Sequence, residues 1–190
     1  MSQTLKNLVK AYVGECQARN RYTFFAKVAR DEGFEQIAAI FLETADQEKE
    51  HAKKLFLHIQ ELKENDDNIK VEFEAPTVFE DTKTNLGAAA AGETYEETEM
   101  YPEFANIAEK EGFTAIAKRM RAIAQAERHH KERYLVLLKQ LENETLFKKE
   151  EEVEWVCREC GYVHKGTEPP QECPSCNHSK AFYQLRCEEY

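Results

Sequence analysis

The sequence predicts an all-α bundle of four long helices with one long crossover, followed by a small β-rich domain organised around cysteines. Three observations predict it. Apolar residues recur at helical spacing along four long stretches. The first pair of stretches is repeated in the second pair. After about Lys149 the helical phase stops, and prolines, aromatics and two C-x-x-C pairs take over. The division falls between 1–149 and 150–190, with the acidic run 150–154 as linker.

The first helix is expected over 4–30, with Leu5, Leu8, Tyr12, Tyr22, Ala26 and Ala29 in phase. The second, over 34–64, carries Ile37, Phe41, Ala45, Leu55, Ile59 and Leu62. Gly33 stands between them as the expected stop just past a helix end. Residues 65–81 contain Pro76 and have no helical phase, so they form a long crossover. The third helix, over 82–110, carries Leu86, Ala89, Ala90, Phe104 and Ile107. Gly112 ends it, and the fourth follows over 113–144 with Ile116, Met120, Ile123, Tyr134, Leu137 and Leu141. Two helical hairpins joined by one long connection is ferritin-like connectivity.

Residues 22–51 align with 101–130 at a constant offset of 79, with 12 of 30 positions identical. Tyr22 matches Tyr101, Gly33 matches Gly112, Glu48 matches Glu127 and His51 matches His130. Upstream, Gly14-Glu15 matches Gly92-Glu93 at an offset of 78. One residue has therefore been inserted between Glu93 and Tyr101. A helix absorbs a single insertion most simply as a π-bulge, a feature that clusters at functional sites. The bulge is expected near Pro102, which itself favours a kink.

The net charge of −10 argues against nucleic acid and anionic membrane surfaces as partners. No apolar run approaches the roughly 18 residues of a membrane span. The amphipathic start MSQTLKNLVKAY lacks the apolar core of a signal peptide, so a cytoplasmic location is expected. In that setting Cys157, Cys160, Cys173 and Cys176, as two C-x-x-C pairs, point to metal rather than disulfides. Cys16 reads as a buried small side chain and Cys187 as an exposed tail thiol.

Certain acids fall on the wrong face for solvent. Glu127 and His130 sit inside the apolar stripe of the fourth helix, and Glu48 and His51 continue that of the second. Glu15 lies on the inward face of the first helix and Glu93 on that of the third. Burying four ionised carboxylates costs several kcal/mol each unless cations match them. Glu-x-x-His places both side chains on one helix face, able to share an ion. One Glu from each of two helices plus Glu-x-x-His from each of the other two is the pattern of di-iron and di-manganese carboxylate bundles. Such pairs arise by chance in a chain this rich in Glu, but here both occupy equivalent places in a repeat. Glu96, three residues after Glu93, offers a further carboxylate; His58 and His129 read as surface residues.

The segments GECQARNRYTFFA, ETADQEKEHAKKLF, AAAGETYEETEMYPEFA and IAQAERHHKERY resemble the rubrerythrins, and the likeness spans essentially the whole chain. The resemblance implies two irons held by Glu15, Glu48, Glu93, Glu96, Glu127, His51 and His130, with His51 and Glu96 exchanging on one iron as oxidation state changes. It places Tyr22 and Tyr101 where the family has tyrosines hydrogen-bonded to ligand carboxylates. Cys16, directly after a ligand, is a departure. CRECGYVHKG followed by CPSC resembles rubredoxin, which implies one iron on the four cysteines. Ligand count alone fits zinc equally well. Trp155, Tyr162, Phe182 and Tyr183 are expected to form the core of this domain. The resemblance further implies a hydrogen peroxide reductase active in oxidative-stress defence. Electrons would come from rubredoxin or an NADH-dependent reductase, in a homodimer where one subunit's cysteine domain serves the other's di-iron site. Ferritin-like oxidation of Fe(II) for storage is the alternative, and the appended electron-transfer domain argues against it.

Overall fold

The computed structural model describes residues 1–187. The bundle comprises α1 (Gln3–Asp31), α2 (Glu35–Leu62), α3 (Thr82–Tyr95), α4 (Tyr101–Lys110) and α5 (Thr114–Glu142). The expected third helix is thus two α-helical pieces joined by a π-helical turn, Glu96–Met100, where the Tyr101 amide donates to the Glu96 carbonyl. The insertion is absorbed there, immediately before Pro102. The proline sits in the first turn of α4, where an amide hydrogen is expendable.

Both repeat glycines end their helices in the same way. Gly33 and Gly112 adopt left-handed φ values of 84° and 88°. The following amides, of Phe34 and Phe113, each reach back to the carbonyls of Ala29 and Ala108 at 2.8 Å, the Schellman pattern. Each hairpin is thereby closed by a tight turn. Ser2 Oγ caps α1 by accepting from the Leu5 amide, and Asp81 caps α3 by accepting from that of Thr84. Glu111, at the far end of α4, accepts from the amides of Gln3 and Thr4 at 3.0 and 2.8 Å. Opposite ends of the crossover-linked hairpins are latched in this way.

The bundle interior is split. One apolar cluster gathers Leu5, Leu8, Leu55, Ile59, Tyr101, Ala105, Ile116 and Met120. The other gathers Tyr22, Phe25, Ile37, Phe41, Leu86, Tyr134 and Leu137. Fully burying each large apolar side chain contributes about 1.5–3 kcal/mol, so either cluster is a substantial core. Between them lies a polar layer of Glu15, Glu48, Glu93, Glu127 and His130, all buried.

The C-terminal part holds a three-stranded antiparallel sheet, order β2-β1-β3, from β1 (Val153–Cys157), β2 (Val163–Gly166) and β3 (Tyr183–Leu185). Its core is Trp155, Cys157, Cys173 and Tyr183, with Phe182 packed against it. Tyr162, expected in that core, is instead exposed: it stands at the hairpin between β1 and β2, and its contribution is the carbonyl that accepts from the Cys157 amide at 2.9 Å. The sheet domain rests on the start of α2. Ala181 packs beside Gly33, and Phe147 stacks on Phe34 with ring centroids 6.3 Å apart. No helix among the described residues is long and apolar enough to cross a membrane.

Candidate metal centres

The stripe positions deliver six donors to one point. His51 Nδ1 lies 2.9 Å from Glu48 Oε2, 2.9 Å from Glu127 Oε1 and 3.9 Å from Glu15 Oε2. His130 Nδ1 lies 3.0 Å from Glu48 Oε1, 2.8 Å from Glu127 Oε2 and 3.6 Å from Glu93 Oε2. Glu48 and Glu127 therefore straddle the layer, each giving one oxygen to either side. Glu15 belongs to the His51 side alone and Glu93 to the His130 side. Each quartet offers ligand atoms all within 4.8 Å of one another. Two adjacent cation sites sharing two carboxylates is the geometry this defines.

A cation is required by the charge balance as well as the geometry. Buried Glu15 Oε2, Glu48 Oε1, Glu93 Oε2, both Glu127 oxygens and His130 Nδ1 have no hydrogen-bond partner, a cost of about 1–3 kcal/mol apiece or more for charged groups. Four ionised carboxylates would outnumber two imidazoliums, so the layer carries excess negative charge whenever all its acids are ionised. Burial and the charges of Glu127, Glu48 and Glu96 push Glu15 well above the usual carboxylate range, and burial takes Glu93 to about 8. Burial opposes charge on the imidazoles too, yet the surrounding carboxylates raise His51 to about 9 and His130 to about 12. Against its own burial, Glu48 is held at about 2 by the two imidazoles that face its oxygens at 2.9 and 3.0 Å. The mixed carboxylate–imidazole set suits iron or manganese.

Two tyrosines complete the layer. The Tyr22 hydroxyl donates to Glu93 Oε1 and the Tyr101 hydroxyl to Glu15 Oε1. Burial keeps both phenols well above their ordinary pKa, so they remain donors. Glu96 is the exception among the expected ligands. It is half-buried, stands at the first position of the π turn outside both quartets, and lines a cleft of about 550 Å³ with Arg21, Tyr95 and Met100. Burial and the charges of Glu93, Glu127 and Glu48 raise it well above the usual carboxylate range, so it stands beside the layer without joining either quartet. Cys16 is half-buried rather than buried, and Cys187 is exposed. His129 is exposed, its ring centroid 6.3 Å from that of His130, and His58 pairs with Glu61 at 2.8 Å; neither belongs to a quartet.

Sequence spacing did not find Gln47 and Arg133. Gln47 Oε1 lies 3.0 Å from His130 Nε2 and accepts from Arg133 Nη2 at 3.2 Å. Arg133 also donates to Thr44 Oγ1 at 2.9 Å and Glu43 Oε1 at 2.8 Å. These residues are polar and lie 83 or more positions from the groups they touch across the bundle, except within α2 itself, so no local pattern marks them.

In the sheet domain the four cysteine sulfurs also lie within 4.8 Å of one another. Cys157 and Cys176 Sγ are 3.8 Å apart, and Cys160 and Cys173 Sγ 3.7 Å. A tetrahedron with metal–sulfur bonds of about 2.3 Å has an edge of about 3.8 Å. The four sulfurs therefore fit one tetrahedral ion.

Fold and sites together define a carboxylate-bridged di-metal four-helix protein with an appended four-cysteine electron-transfer domain. The family model described as Rubrerythrin matches residues 6–138, and that described as Rubrerythrin, rubredoxin-like domain matches 155–184. The chain belongs to the rubrerythrin family, whose members are in general di-iron proteins of oxidative-stress defence. It carries the family's di-iron site and its four-cysteine iron site. It is 56% identical to a putative rubrerythrin of Methanocaldococcus jannaschii, covering 100% of this chain and 96% of that one. It is 48% identical to a rubrerythrin of Nitratidesulfovibrio vulgaris, covering 97% and 94%. A solved structure of fully reduced, all-ferrous nigerythrin aligns at a TM-score of 0.66 with 33% identity, covering 98% of this chain and 88% of that one.

Proposed function

We propose that this protein is a non-haem di-iron peroxidase that reduces hydrogen peroxide to water, with electrons passed from the four-cysteine iron. The observation that carries this reading is the pairing, in one chain, of a buried cage for two ions with a tetrahedral four-thiolate site. An iron-storing oxidase has no need of the second. When bound, two ferrous ions supply the two electrons that cleave the O–O bond, and the cysteine iron returns them singly.

The chain's residues supply the rest. Glu48 and Glu127, which face both histidines, would be shared between the two ions, and Glu15 with His51 and Glu93 with His130 would complete either side. Glu96, from the cleft, is the carboxylate free to approach. Tyr22 and Tyr101 hold protons on the terminal carboxylates Glu93 and Glu15, beside the place where product water must be protonated. The two apolar clusters exclude bulk water above and below. Residues 1–149 form the oxidising unit and 150–190 the electron-feeding one; Cys157, Cys160, Cys173 and Cys176 are the iron ligands there. The working form is a cytoplasmic homodimer supplied by rubredoxin or an NADH-dependent reductase.

The test is stopped-flow absorbance of the reduced, iron-loaded protein mixed anaerobically with hydrogen peroxide, beside the same protein mixed with dioxygen. Fast stoichiometric oxidation by peroxide and slower oxidation by dioxygen is the expected result. The reverse preference would replace this reading with an iron oxidase.

A further inference from the structure

The two halves of the bundle site share ligand types, yet the structure surrounds them differently. On the His130 side a chain of hydrogen bonds runs outward from the ring: His130 Nε2 to Gln47 Oε1, and Gln47 Oε1 to Arg133 Nη2. The chemistry of this chain fixes every proton in it. A guanidinium can only donate, so the Gln47 atom that it touches is the amide oxygen. The Gln47 amide nitrogen correspondingly faces Glu43 Oε1 at 3.4 Å, and Glu43 in turn pairs with Arg133 Nη1. An oxygen opposite His130 Nε2 requires that nitrogen to carry the hydrogen. Nδ1 is then the nitrogen that faces Glu48, Glu93 and Glu127, and the one left to give its lone pair to a metal ion. Arg133 is anchored as well by Thr44 Oγ1, so the relay is held at its outer end.

The repeat shows that this device is not shared. At the offset of 79, Gln47 corresponds to Ala126, Thr44 to Ile123 and Arg133 to Lys54. An alanine and an isoleucine cannot accept from an imidazole, and Lys54 is exposed. Among the described residues no hydrogen bond holds His51 on the outside of its ring. Its side chain is 17% exposed where that of His130 is 3%.

We propose that Gln47 and Arg133 are positioning residues that lock His130 in its metal-binding tautomer and orientation, and that their absence at His51 makes the two metal positions unequal in affinity. The His130 half is the tighter-binding one and the His51 half the weaker. Outer partners of metal-bound histidines typically contribute about 10–100-fold in affinity, which is the expected size of the difference.

The inference rests on the metal-centre reading above, and the experiment separates the two. Full-length protein retaining its cysteine-site iron, with the bundle site emptied by chelation, is titrated anaerobically with Mn(II) and followed by EPR. Manganese favours carboxylate and imidazole over thiolate. Wild type should bind two ions in unequal steps, and H51A should remove the weaker. Q47L should weaken the tighter step by about 10–100-fold, while Q47E, which keeps an acceptor for His130 and a partner for Arg133, should restore it. A126Q, which offers His51 an acceptor, should narrow the gap from the other side. On the zinc-loaded protein, nitrogen NMR should show hydrogen on His130 Nε2, lost as a single fixed tautomer in Q47L. Equal affinities in wild type, an unchanged tight step in Q47L, or equal weakening of both steps without rescue by Q47E, would overturn the inference. Absence of any manganese binding in wild type would overturn the metal-centre reading with it.

Discussion

The two metal regions are built by opposite means. The bundle centre draws six residues from four helices spread over more than a hundred positions, and leaves several of their buried oxygens for an added cation to satisfy. The cysteine centre draws four residues from two short knuckles, and two of them, Cys157 and Cys173, share the small core with buried Trp155 and Tyr183. The bundle has two apolar clusters that stand without metal; the sheet domain has little besides its sulfurs. Fold stability and metal holding are therefore separable in the first and nearly one quantity in the second.

The largest test of that contrast is removal of a bridging carboxylate. Glu127→Ala should abolish peroxide turnover, because both quartets lose a member, and should leave the cysteine-iron absorption spectrum intact. Cys160→Ser should do the reverse: single-turnover oxidation of the reduced bundle site survives in stopped flow, and steady-state cycling stops. Chelation sharpens the contrast further. Stripping all metal should melt the sheet domain, seen as lost dispersion of its amide NMR signals, while far-UV circular dichroism keeps the helical signal. Tyr101→Phe should have a smaller effect, since one hydrogen bond contributes about 1 kcal/mol. Peroxide oxidation should slow by about fivefold, with metal content unchanged.

The smallest effect concerns the latch. Hydrogen bonds from the Thr4 and Gln3 amides lower Glu111 below its ordinary value of 4.5. A carboxylate with a depressed folded pKa contributes stability above its unfolded pKa and loses it as pH falls through the folded one. Glu111→Gln should therefore erase part of the stability loss below about pH 4.5, measured as thermal midpoint against pH, and change nothing at pH 7 at the metal layer.

Periodicity, glycines and repeat made the bundle legible. Gly33 and Gly112 announce left-handed caps because other residues resist positive φ. The mismatch of 78 and 79 located the π turn because a one-residue insertion in a packed helix has few other outlets. Glu144 shows the limit: α5 ends with the same reach-back, Thr145 amide to Gln140 carbonyl at 2.8 Å, yet a glutamate holds φ 55° there and gives no signal. The six inward donors were legible because each interrupts an apolar stripe. Glu96 is harder to place from sequence, since helical spacing assumes 3.6 residues per turn and the π turn begins at that residue. The Gln47–Arg133 relay was invisible because it depends on contact across the bundle, which no one-dimensional period encodes.

The sharing of Glu48 and Glu127 carries a consequence for how the protein comes into being. Each hairpin closes locally over its glycine turn, but neither quartet can be assembled from one hairpin. The first needs Glu127 from the second hairpin, and the second needs Glu48 from the first. As the chain leaves the ribosome, its leading half can fold without seizing iron, and the cage comes into existence only when the halves dock. Ions that enter then act as rivets across the seam, so a finished, correctly paired bundle is the condition for holding metal at all.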